Sequence, residues 1–154
     1  MHVKSILTVC TGNICRSPYA EGLLARDLPS VRIASAGIGA VEGGKMPAEA
    51  AAIAEREGLA LDAHRGRQIT TPILRDHELL LVMEQGQKRW LAERFPESRG
   101  RVFMVTHWRG EADIADPYRH DAAFFEQVFS ELAEAVGDWV ARLQPARTDR
   151  PTAG

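Results

Sequence analysis

The chain has 154 residues, 45% hydrophobic and 26% charged, which suits one packed domain and excludes a globally disordered chain. Nineteen basic against 21 acidic residues leave a net charge of -2, so no general attraction to nucleic acid is expected and anion recognition has to be local. No apolar run is long enough to insert into a membrane. Val3 to Val9 is apolar and rich in β-branched residues, and reads as a buried first strand rather than a leader peptide. A helix follows, with Ser17 as its cap, Pro18 at its first position and Leu23, Leu24 and Leu28 on one side. Val31 to Gly37 is a second strand, running into the glycine-rich loop "GIGAVEGG". Pro47 opens an alanine-rich helix to Glu57, stopped by Gly58.

After a loop through "LDAHRGRQIT", Thr71-Pro72 start a short helix and Glu78 to Met83 form a third strand, nearly all apolar. Gln87 to Phe95 is a helix ended by Pro96, and "RVFMV" is the fourth strand. A long polar loop, "HWRGEADIADPYRHD", leads to a helix from Asp121 to Leu143, with apolar residues at helical spacing. Residues 145–154 are expected to be a disordered tail, leaving one domain over 1–144. The alternation implies a three-layer α/β sandwich, with a four-stranded parallel sheet flanked by helices on both faces. Ligands of such sheets bind beyond the carboxyl ends of the strands.

Cys10 sits at one such end, in "VCTGNICRSPY". A strand, a tight loop containing Gly12 and a helix start aim backbone N–H groups at one point, which favours an anion. Arg16 adds a planar fork able to grip two phosphate oxygens, and the loop is not of the Gly-Lys-Ser/Thr kind. A free thiol titrates near 8.5, so making one mostly thiolate at neutral pH needs about 2.7 kcal/mol. A partly buried helix dipole supplies at most ~2 kcal/mol. The arginine, the loop N–H groups and the Ser17 hydroxyl are the candidates for the rest. Cys10 and Cys15 are the only cysteines, too few for a disulfide scaffold or a four-ligand zinc site. With no export signal in view, a cytoplasmic location with both thiols free is expected.

"VCTGNICRSPYAE" together with "DPY" at Asp116 to Tyr118 resembles the low-molecular-weight protein tyrosine phosphatases. "SAG" at Ser35 to Gly37, "HRGRQI" at His64 to Ile69 and "LLLVME" ending at Glu84 extend the likeness. The resemblance implies that Cys10 attacks phosphorus, with Thr11, Gly12, Asn13, Ile14, Cys15, Arg16 and Ser17 completing the phosphate-binding loop. Asp116 would then be the general acid and base. It implies no metal and no other cofactor. Asn13, Ser17, Ser35 and His64 match a hydrogen-bond net under the loop. Cys15 matches a second cysteine able to form a reversible disulfide with the nucleophile, and also suits plain packing beneath the loop.

Tyr118 and Val41 match the walls of the substrate cleft. Family members acting on phosphoarginine carry threonine where this chain has Ile14, and an apolar residue there suits an aryl phosphate. "SAGIGAVEGGKMPAEA", "THW" at Thr106 to Trp108 and "DPYR" resemble the bacterial phosphatases linked to capsule and exopolysaccharide production. Their partner is an autophosphorylating bacterial tyrosine kinase with a tyrosine-rich tail, and a monomer is expected. A plain packing role for His107 and Trp108 stays open. A thiol-relay arsenate reductase is disfavoured because no cysteine follows Cys15. A protein-arginine phosphatase and a non-catalytic phosphotyrosine-binding module compete with the phosphotyrosine hydrolase, the first disfavoured by Ile14 and the second by the presence of both Cys10 and Asp116.

Overall fold

The expected alternation is present in the computed structural model, which describes residues 2–144. In chain order the elements are β1 (Ser5–Cys10), α1 (Arg16–Asp27), β2 (Arg32–Gly37), α2 (Ala48–Arg56), α3 (Thr71–Arg75), β3 (Leu79–Val82), α4 (Gln85–Arg94), β4 (Val102–Met104) and α5 (Ala122–Leu143). A 3-10 turn at Pro96–Arg101 precedes β4. The strands are all parallel, in the order β2-β1-β3-β4. The expected tail, 145–154, lies outside the described residues.

Every residue of β1 and β3 is buried, as a parallel strand covered on both faces requires. Ile6, Leu79 and Leu81 pack with α1, α2 and α5. Their neighbours Leu7, Leu80 and Val82 pack on the other face with Leu74 of α3 and Leu91 of α4. Tyr19 of α1 stacks on Phe129 of α5 with ring centroids 4.3 Å apart. The chain steps from β1 to β2 on one side and returns across β1 to β3 on the other. That reversal opens a crevice between the carboxyl ends of β1 and β3.

Helix starts differ from expectation at two places beside this crevice. Ser17 does not cap α1: Cys15 holds the cap position without a side-chain bond, and Pro18 is the third helical residue. Pro18 is still tolerated, because first-turn N–H groups have no intrahelical partner. The Ser17 hydroxyl is thereby released for the loop. Helix α4 starts two residues before the expected Gln87, since Glu84 and Gln87 form a capping box. Elsewhere the starts fall within a residue of expectation: α3 begins at Thr71 with Thr70 as its cap, Asp121 caps α5 rather than opening it, and Gly58 follows α2 at φ 74°. Among the described residues no helix is long and apolar enough to cross a membrane.

His107 and Trp108, at the start of the long loop, pack edge-on to each other and against Trp139 of α5. The indole N–H of Trp139 donates to the Val105 carbonyl at 2.9 Å, and the Arg142 guanidinium covers the Trp108 ring. The root of the loop is therefore tied to α5 by aromatic packing.

Gly37, at the end of β2, has no room for a side chain: a Cβ there would lie 2.4 Å from the Thr11 carbonyl oxygen. Gly37→Ala should lower stability by about 1–3 kcal/mol in urea unfolding. Gly100→Ala, in open space, should stay within about 0.5 kcal/mol of the wild type.

Candidate active site

The loop leaving β1 is shaped from outside. The carbonyl of Cys10 accepts from Ile38 N at 3.1 Å, that of Thr11 from Gly39 N at 3.0 Å and that of Gly12 from Val41 N at 3.0 Å. The Asn13 carbonyl is 2.6 Å from His64 Nε2, which donates to it. In a trans peptide the N–H points opposite to the C=O. Four carbonyls turned outward therefore turn the N–H groups of Thr11, Gly12, Asn13 and Ile14 inward. Asn13 N–H confirms the direction by donating to Cys10 Sγ at 3.3 Å. The result is a concave row of donors at the N-terminus of α1, suited to an anion.

Asn13 takes the left-handed backbone, φ 58°, that the tight loop demands, and its side chain locks the rest. Its Oδ1 accepts from Arg67 N at 2.9 Å, which fixes the orientation of the amide. Its Nδ2 then donates to Ser17 Oγ at 2.8 Å and to Ser35 Oγ at 2.9 Å. Ser35 donates its own O–H to Glu21 at 2.6 Å. Ser17 Oγ, which accepts from Asn13, is also hydrogen-bonded to Cys10 Sγ at 2.9 Å. The sulfur thus receives the Asn13 N–H and lies against the Ser17 hydroxyl. Asn13, Ser17, Ser35 and His64 come together in the net expected of them.

Burial, reinforced by the nearby Cys10, pushes the Cys15 thiol up to about 12, so it stays protonated at neutral pH. Cys10 and Cys15 are both free.

Arg16 is only 2% exposed. Its Nη1 donates to Glu84 Oε2 at 2.6 Å and to the Ile114 carbonyl at 2.7 Å. Among the described residues, Nε and Nη2 donate to no protein group, and no buried side-chain polar atom lacks a partner. The Nε–Nη2 edge is therefore the one open to the cavity. Asp116 Oδ2 stands 3.9 Å from Nη2, on a side chain 52% exposed. Its other oxygen accepts from Tyr118 N at 3.1 Å, which turns the carboxylate across the mouth.

Residues 10–16 floor a cavity of about 190 Å³ walled by Val41, Tyr118 and Asp116. All the expected wall and loop residues except Ser17 line it, and Ser17 lies beneath. A larger hollow of about 430 Å³ beside residues 51–62 has no comparable convergence of donors. Sequence reasoning missed Glu84, Gln87, Arg67 and Glu21. Glu84 carried a usable signal, a lone carboxylate at the carboxyl end of an apolar strand.

A comparison with protein families decides what this arrangement is: residues 5–148 match the low molecular weight phosphotyrosine protein phosphatase model. The chain belongs to that family. A similar curated relative is the low molecular weight protein-tyrosine-phosphatase Wzb of Salmonella typhimurium, 42% identical over 140 residues, covering 91% of this chain and 94% of the relative. The tyrosine phosphatase Wzb of Escherichia coli, solved with sulphate, superposes with a TM-score of 0.88 at 42% identity, over 92% of this chain and 99% of that one. An arginine phosphatase of Geobacillus stearothermophilus is also similar, with a TM-score of 0.86 at 31% identity, over 97% and 99% of the two chains.

Alkylation tests the raised Cys15 thiol in this phosphatase. Iodoacetate at neutral pH should modify Cys10 and spare Cys15 by peptide mass mapping, and inorganic phosphate should slow the reaction. Equal labelling of both would contradict a Cys15 thiol held protonated.

Proposed function

We propose that the protein hydrolyses phosphotyrosine on proteins through a phosphocysteine intermediate on Cys10. The observation that carries this reading is the Cys10 sulfur, hydrogen-bonded to the Asn13 N–H and the Ser17 hydroxyl at the floor of a cavity that Arg16 and Asp116 face. Thiolate attack forms the S–P bond as the bond from phosphorus to the phenolic oxygen breaks, and protonated Asp116 gives its proton to that oxygen. Asp116, now a carboxylate, takes a proton from water as the water attacks phosphorus. The S–P bond breaks, inorganic phosphate leaves, and both residues return to their starting states. The inward N–H groups and Arg16 offset the charge spreading over the equatorial oxygens.

The walls support an aryl substrate. Val41 and Tyr118 are about half exposed at the mouth, and a Cβ placed on Gly12 would touch both Val41 and Ile14. An apolar slot suits a phenyl ring better than a guanidinium. The resemblance at "THW" and "DPYR" and the kinship with the Wzb enzymes support a narrower reading. In it the substrate is the tyrosine-rich tail of an autophosphorylated bacterial kinase controlling capsule or exopolysaccharide production. The enzyme would act on that tail as a cytoplasmic monomer.

Phosphate release from matched phosphotyrosine, phosphoserine and phosphoarginine peptides in EDTA tests the first reading. Release is expected from phosphotyrosine alone and should vanish in Cys10→Ser. Dominant release from phosphoarginine would overturn the argument from Ile14. Asp116→Ala should lose about 100-fold on phosphotyrosine, whose leaving group needs the proton, and far less on an activated nitrophenyl phosphate. Equal losses on both would remove Asp116 from the acid role.

A further inference from the structure

The phosphatase reading uses Tyr118 as a wall of the cavity and leaves its neighbour Arg119 without a task. Arg119 is the third residue of a tight turn, closed by His120 N donating to the Pro117 carbonyl at 2.9 Å. Its backbone is left-handed, at φ 68°. Glycine or asparagine takes that place at little cost, whereas an arginine is strained there, and such strain gathers where a particular side chain is needed. The turn is fixed at both ends. Asp116 Oδ1 accepts from Tyr118 N at 3.1 Å, and the His120 ring packs on Phe124 of α5 with centroids 4.6 Å apart. The Arg119 guanidinium lies over the Tyr118 ring, 5.4 Å from its centroid. It does not line the cavity, so it stands at the rim, outside the wall that Tyr118 forms. The exposed Arg26, Arg32, Arg56, Arg75 and Arg109 each face a carboxylate. Among the described residues Arg119, equally exposed, pairs with none.

We propose that Arg119 is a specificity residue, which binds a second oxyanion of the substrate, carried within about two residues of the phosphotyrosine. This rests on the phosphatase reading of the site and extends it to the substrate's flanks. A phenyl ring seated between Val41 and Tyr118 brings the substrate main chain out at the rim, beside the guanidinium. An extended chain advances about 3.3–3.6 Å per residue, so a neighbouring side chain spans the width of the Tyr118 ring. The planar fork can donate two parallel bonds to a carboxylate or to a phosphate. The oxyanion therefore has two sources, an aspartate or glutamate, or the phosphate of a second phosphotyrosine. Stacking on Tyr118 restricts Arg119 before the substrate arrives, so less entropy is lost when the pair forms. The pair is exposed, which makes it a modest and salt-sensitive selector among peptides rather than a source of turnover.

Phosphotyrosine peptides that differ only in their flanking residues test this. The flanks are neutral, acidic, basic, or a non-hydrolysable phosphonate analogue of phosphotyrosine. The quantity measured is kcat/KM, which non-productive binding of the phosphonate does not alter. For the wild type it should be about 3–5-fold higher with the acidic flank than with the neutral one, and about 5–10-fold higher with the phosphonate. The arm that responds names the source of the oxyanion. Raised salt should shrink the preference. Arg119→Asn keeps the left-handed turn without the charge, and should bring every preference down to about 1.5-fold or less. Arg119→Glu should reverse the order and favour the basic flank by about threefold, a reversal that a merely structural role would not produce. If Arg119→Glu does not fold by circular dichroism, Arg119→Asn decides alone. A wild type that treats all flanks alike, or a folded Arg119→Asn that keeps the wild-type ratios, overturns the proposal. A wild type that releases no phosphate from any peptide sinks the phosphatase reading, and this inference with it. A working enzyme whose preferences ignore Arg119 sinks the inference alone.

Discussion

The site depends on where four carbonyl groups point. Cys10, Thr11, Gly12 and Asn13 give their oxygens to Ile38, Gly39, Val41 and His64, and peptide planarity does the rest. The inward N–H groups are oriented during folding, before any anion arrives. An anion hole built in this way needs no reorganisation when charge develops, which is what makes such dipoles effective. The lack of room at Gly37 follows from the same closeness, since the two loops must touch for the bonds to form.

A second constraint is the burial of a full positive charge. An isolated guanidinium in the interior is costly, and removing the partner of a buried ion pair is strongly destabilising. Glu84 and the Ile114 carbonyl meet that demand on one corner of Arg16 only. The arginine is thereby both stable and unfinished, with its remaining edge facing the cavity. The strand order supplies this geometry: with β1 between β2 and β3, the loops after β1 and β3 become neighbours although Arg16 and Glu84 are 68 residues apart in the chain.

Much of this was legible in the sequence. The apolar runs around Ile6 and Leu80 marked buried parallel strands, Cys10 and Arg16 stood out through spacing and residue type, and Asp116 was marked only by the family resemblance of its Asp-Pro-Tyr. The cap of α1 was misread because Ser17 looks locally like a capping residue, whereas its hydroxyl is claimed by Asn13 and Cys10. The start of α4 was misplaced because glutamate is not a common cap, and the box with Gln87 supplies what serine would have. The donors at Ile38, Gly39 and Val41 left no trace in side-chain chemistry, since backbone N–H groups belong to nearly every residue. Glu84 was visible as a residue and silent about its partner, because that pairing exists only once the sheet is assembled.

The placement of the tryptophans has a spectroscopic consequence. Trp139 is buried on α5 with its indole bonded to the Val105 carbonyl, and Trp108 lies beside it under Arg142. Trp90, on α4, packs against Phe95. None of the three lines the cavity. Intrinsic fluorescence is therefore insensitive to direct quenching by an occupant of the site. Trp108 and Trp139 report instead on the joint between α5 and the root of the loop that carries Asp116, a built-in optical gauge of that anchor.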